Sequence, residues 1–157
     1  MKHTIYALVE NKPGVLARIS GLFSARGFNI ESLAVGQTHE PDISRMTIIV
    51  DAQDERILEQ IKKQLHKLID VVTVSDLTKK DFFEKELFLI KVNCAKLTRQ
   101  TLTAMLKNFS ANILSFDKQF AIIEAVGSKE QMSELLEILT KAGIKELVRT
   151  GRIAIAK

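Results

Sequence analysis

Residues 10–36, ENKPGVLARISGLFSARGFNIESLAVG, hold a turn, a helix and a strand in immediate succession. Pro13 and Gly14 mark the turn. Val15, Leu16, Ile19, Leu22 and Phe23 then recur at helical spacing, and Gly27 ends the helix where a left-handed residue is easily taken. Phe28 to Gln37 alternates as a strand. Working outward, residues 3–9 (HTIYALV) form the strand that feeds the turn. Downstream, a polar turn around Pro41 and Asp42 leads into a strand over Arg45–Val50. Met46, Ile48 and Val50 share one face of it, and Thr47 and Ile49 share the other. Ile57, Leu58, Ile61, Leu65 and Leu68 mark a second amphipathic helix, and Val71–Leu77 closes the unit.

The rest of the chain repeats this order without obvious sequence identity. Leu87–Val92 is a strand, and Leu102, Met105, Leu106 and Phe109 face one side of a helix. Ile113–Phe116 and Phe120–Val126 form a hairpin around Asp117 and Lys118. Met132, Leu135, Leu136 and Leu139 line a helix that Gly143 follows, and Glu146–Arg149 and Arg152–Ala156 are short terminal strands. The fold class is therefore α+β, with two ferredoxin-like βαββαβ domains, 1–77 and 78–157. In each, two right-handed crossovers put both helices on one face of a four-stranded antiparallel sheet. The charged stretch 78–86, TKKDFFEKE, is the junction, and Phe82 and Phe83 argue that it is packed. TIYALV and MTIIV are apolar on both faces, so the sheet face away from the helices needs cover from a second domain or a second chain.

Totals narrow the function. The chain has 157 residues, 46% of them hydrophobic and 27% charged, which suits a globular protein with one large core or two small ones. It has no run of 18 apolar residues, so no membrane span is expected. The first apolar stretch is too short for a secretory leader, which makes the cytoplasm the expected location. The single Cys94 lies in an apolar run and reads as a buried thiol. The charge is uneven: residues 1–77 are net −1 and residues 78–157 net +5. The basic half could meet an acidic partner or nucleic acid.

The turn at Asn11-Lys12-Pro13-Gly14-Val15-Leu16 has chemistry of its own. Pro13 suits a helix entry, because its φ is fixed and it has no amide to leave unpaired. Gly14 lets a ligand come close to the backbone. The free N–H groups of the first helical turn carry partial positive charge and suit a carboxylate. Asn11 can donate and accept, and Val15 and Leu16 add apolar surface. Such a set fits a small amino acid, with its charged head on the amides and its tail against aliphatic carbons.

The same stretch resembles the start of an ACT domain, the ferredoxin-like module that senses amino acids. GLFSARGFNIESL, SRMTI and LEQIKKQLHKLIDVVTV resemble, more narrowly, the small regulatory subunits of acetolactate synthase, through residues 1–77 without a gap. The resemblance implies that two ACT domains pair edge to edge across a two-fold axis into one eight-stranded sheet. An effector then lies between the loop 11–16 of one chain and Asn29 and Ile30 of the other. The implied effector-binding residues are Asn11, Pro13, Gly14, Val15, Leu16, Asn29 and Ile30. Pro13 stands where relatives carry other small residues, which stiffens the loop. In the second domain Asn93-Cys94-Ala95-Lys96 lacks the glycine, and no effector site is expected there. The resemblance further implies a catalytic large subunit as partner, holding thiamine diphosphate, magnesium and FAD, with no cofactor in this chain. The chain would raise that partner's activity and confer feedback inhibition by valine, or by leucine or isoleucine.

No catalytic or metal site is expected from the remaining residues. His3, His39 and His66 fall on a strand, a loop and a helix, without metal-ligand spacing, and read as surface or partly packed. Glu40 and Asp42 flank Pro41 in a solvated turn, and Ser20, Ser24 and Ser44 lie in no nucleophile elbow. Arg45 fits either an interface role or a structural ion pair. Lys62, Lys63, Gln64, His66 and Lys67 form the polar side of the second helix, with solvent as the default neighbour. Two other function classes share the βαββαβ order. An RNA-binding module would stack bases on aromatics, but the strand over residues 45–50 has none, so no nucleic-acid partner is expected. An acylphosphatase-type hydrolase needs a basic anion cradle, and the first loop has Lys12 but no arginine.

Overall fold

The structure, a computed structural model, describes residues 2–51 and 55–157, and of Glu55 the backbone alone. The first repeat comprises β1 (Lys2–Glu10), α1 (Val15–Ser24), β2 (Ile30–Gln37), β3 (Ile43–Asp51), α2 (Glu55–Leu65) and β4 (Val71–Asp76). The second comprises β5 (Phe82–Asn93), α3 (Arg99–Leu106), β6 (Ala111–Phe116), β7 (Phe120–Gly127), α4 (Lys129–Thr140) and β8 (Ile144–Arg149), and β9 (Ile153–Ala156) follows. Two antiparallel sheets result, ordered β2-β3-β1-β4 and β6-β7-β5-β8, with β9 paired to β5. The chain is thus α+β with two ferredoxin-like sheets. No helix among the described residues is long and apolar enough to cross a membrane.

Each unit has its own core. In the first, Ile5, Ala7 and Val9 of β1 and Met46, Ile48 and Val50 of β3 meet Val15, Ile19 and Phe23 of α1 and Leu58, Ile61 and Leu65 of α2. The helical residues recur at three- and four-residue spacing and the strand residues at two, so apolar area is collected on one side of each element. α1 stops in a Schellman turn. Gly27 takes φ 71°, its amide donates to Ser24 O, and the Phe28 amide donates to Phe23 O. In the second unit, Phe88, Ile90 and Val92 of β5 meet Leu102 and Leu106 of α3 and Met132, Leu135 and Leu139 of α4. The β6–β7 hairpin closes on Asp117, whose carboxylate accepts from the Gln119 and Phe120 amides at 2.7 and 2.8 Å. These two donors, that of Phe120 foremost, hold the Asp117 carboxyl below its ordinary range.

The boundary differs from the sequence division at 77/78. One compact unit spans residues 1–83 together with 152–157, and the other spans 84–151. The terminal segment therefore returns to the first unit. The Arg152 amide donates to Ser32 Oγ at 3.1 Å, and the Arg45 guanidinium donates to Ala154 O at 2.8 Å while stacking 4.0 Å above the Tyr6 ring. Arg45 thus clamps this segment, a role within the chain that the sequence reading did not foresee. Ser32, Arg45 and Tyr6 lie on the sheet face away from the helices, so the unit supplies part of its own cover there. Ile49 and Leu77, on that same face, are fully buried.

Two expectations change in detail. Phe82 is half-buried, but Phe83 is 61% exposed, with the Lys157 ammonium 5.2 Å from its ring, so only one of the pair is withdrawn from solvent. His3 is buried rather than superficial, and its Nδ1 lacks a hydrogen-bond partner; its place next to β3 Val50 on the core face explains the burial. His39 and His66 are exposed.

Candidate effector site at the start of the first helix

The loop between β1 and α1 is held from one side. The Asn11 amide N–H donates to Asp42 O, and Asn11 Nδ2 donates to Pro41 O at 3.0 Å. Gln37 Nε2 donates to the same carbonyl at 2.7 Å. The turn around Pro41 is therefore exposed, as expected, but it also anchors the loop. Sequence reasoning missed this role because a backbone carbonyl leaves no mark in the residue types. Lys12 pairs with Glu10 at 2.8 Å, and that carboxylate raises the lysine's pKa above its ordinary value. Its charge is answered within the loop.

Gly14 is the N-cap of α1, at φ 85° in the left-handed region. A side chain there would be strained by the backbone, yet a Cβ would meet no atom within 4 Å. The glycine therefore opens space beside the helix end. It also cannot cap the helix with a side chain. Arg18 N–H reaches Gly14 O and Val15 N–H reaches Lys12 O, but the Leu16 and Ala17 amides find no acceptor among the described residues. α3 and α4 contrast with this. Thr98 accepts from the Thr101 amide, and Ser128 and Gln131 form a reciprocal capping box. Of these three helices, only α1 offers its first amides and its partial positive charge to something outside the chain.

The seven residues expected at the site divide into two groups. Asn11, Pro13, Gly14 and Leu16 are exposed around the loop, with Leu16 43% accessible. Val15 is 2% exposed and belongs to the core, so it shapes the loop from beneath and gives a ligand no surface. Asn29 is exposed and Ile30 half-buried at the start of β2. Through β3, Glu10 aligns with Ile43 and Ile30 with Val50. Seven residues of strand thus separate the two groups, roughly 23 Å. One chain does not bring them together.

Comparison with known proteins gives the geometry its context. Residues 5–73 match the family described as AHAS small subunit-like ACT domain, and residues 85–157 match that described as small subunit of acetolactate synthase. The chain is 46% identical over its whole length to the probable acetolactate synthase small subunit of Archaeoglobus fulgidus, covering 98% of that protein. It is 44% identical to the acetolactate synthase small subunit of Mycolicibacterium smegmatis, over 99% of this chain and 91% of that one. The crystal structure of the acetolactate synthase small subunit from Thermotoga maritima superposes with a TM-score of 0.90 at 34% identity, covering all of this chain and 98% of the other. With both halves matched and the fold shared from end to end, the chain belongs to the acetolactate synthase small-subunit family.

Proposed function

We propose that this chain is the non-catalytic regulatory partner of an acetolactate synthase large subunit, raising its activity and making it sensitive to valine or a related branched-chain amino acid. The large subunit would carry the thiamine diphosphate, magnesium and FAD. The observation that carries the reading is the bare start of α1, where Gly14 leaves open space and the Leu16 and Ala17 amides unanswered. A carboxylate of an amino acid would accept from those amides, and its aliphatic tail would lie against Leu16. Asn29 and Ile30 of a second chain would complete the cleft in a homodimer.

Gly14→Asp tests the site. Aspartate tolerates the left-handed region better than most residues, so the fold should lose only about 1 kcal/mol. Its carboxylate would occupy the ligand's place and repel the ligand's own. The variant is expected to activate the large subunit normally but to lose inhibition by the amino acid, measured as acetolactate formation with and without valine, leucine or isoleucine. Normal inhibition of the variant would remove the site assignment.

A further inference from the structure

Several cations of the first unit have a carboxylate partner: Lys2 with Glu31, Lys12 with Glu10, Arg18 with Asp70, and Lys62 with Glu59. Lys63, Lys67 and Arg26 have none among the described residues, and the Arg26 guanidinium donates to Leu22 O at 3.2 Å. These three line a single groove of about 400 Å³ with His66, Gln60 and Gln64. Gln60, Lys63 and Gln64 share one stripe of α2, away from the stripe that buries Leu58, Ile61 and Leu65, and His66 and Lys67 follow in the turn at its end. No carboxylate lines the groove among the described residues, although residues 1–77 are net negative. A half of the chain that is net negative thus holds a local patch of positive charge.

The lining points to the kind of occupant. The cations are exposed rather than gathered round a closed pocket, which suits a row of carboxylates on another protein better than a small buried ion. The two glutamines can each donate to and accept from peptide groups. We propose that this groove docks an acidic segment of the catalytic large subunit. The inference rests on the regulatory reading above and adds to it the face used and the chemistry of the partner.

The test is the affinity of the full chain for the large subunit at low and high salt, in three forms: wild type, Lys63→Glu/Lys67→Glu, and a control reversal of equal charge, Lys118→Glu/Lys145→Glu. All four lysines are exposed, so the folds should survive, as circular dichroism would verify. The first pair of substitutions is expected to weaken association at low salt on the order of tenfold to a hundredfold, with the control far less affected. Wild-type affinity should fall as salt rises. Unchanged association of Lys63→Glu/Lys67→Glu, or equal weakening by the control, overturns the docking face. Saturable binding of inorganic phosphate that this pair abolishes, with association intact, would assign the groove to a small anion and also overturn it. Failure of the wild-type chain to bind or activate the large subunit at any salt would instead sink the regulatory reading, and this inference with it.

Discussion

Single side chains carry their chemistry through what surrounds them. Cys94 is 3% exposed, and its thiol donates to Asp117 O at 3.2 Å. Burial, with the nearby Asp117 charge, pushes the thiol above its ordinary pKa. The native group therefore stays protonated where the unfolded thiol, near pH 8.5, already ionises. Stability should fall as pH rises through that range, because the unfolded chain releases a proton that the folded chain keeps. Cys94→Ala should flatten this slope in urea titrations run at successive pH values. An aromatic disulfide reagent should label native Cys94 on the order of a hundredfold or more slower than the unfolded chain, since labelling needs an opening of the core. Equal rates would mean that the thiol is not enclosed. The opposite pattern holds for Asp117, whose lowered pKa makes its contribution full above the unfolded value near 3.9 and lost as pH falls through the lower folded value.

Most elements could be read from periodicity, and the exceptions have physical causes. α1 and α2 were legible because their apolar residues recur at helical spacing, and the β6–β7 hairpin because Asp117 and Lys118 interrupt two apolar runs. The destination of β9 was not legible. Ile153-Ala154-Ile155-Ala156 shows a strand, but which unit it joins depends on Ser32 and Arg45, more than a hundred residues away. The candidate site was half-legible for a similar reason. Gly14 and its neighbours announce a turn, whereas the burial of Val15 and the anchoring at Pro41 O are tertiary facts. The clamp on β9 makes a prediction at this scale. Arg45→Ala removes a charge-assisted bond to Ala154 O and a stacked cation, together about 2 kcal/mol. Amide exchange at residues 153–156 should accelerate markedly while the β1–β3 ladder keeps its protection. Unchanged exchange in the tail would show that other contacts hold it.

At the scale of the whole molecule, the separation of the loop from Asn29 and Ile30 sets a condition on the assembly. If each cleft takes its loop from one chain and its β2 start from the other, two defects on different chains complement. Gly14→Asp and Asn29→Asp homodimers should each fail to bind the amino acid. Their mixed dimer should regain one cleft of the two, detectable by calorimetry after co-refolding. No recovery on mixing would place both groups of residues in separate roles. The return of the terminal segment has a consequence of a mechanical kind. β1 and β9 both lie in the first unit, so residues 84–151 leave it and come back to it. In a molecule stretched between Lys2 and Lys157, force would first meet the bonds that hold β9, to Arg45 and to β5. The length of residues 84–151 would be drawn out only after β9 had peeled away.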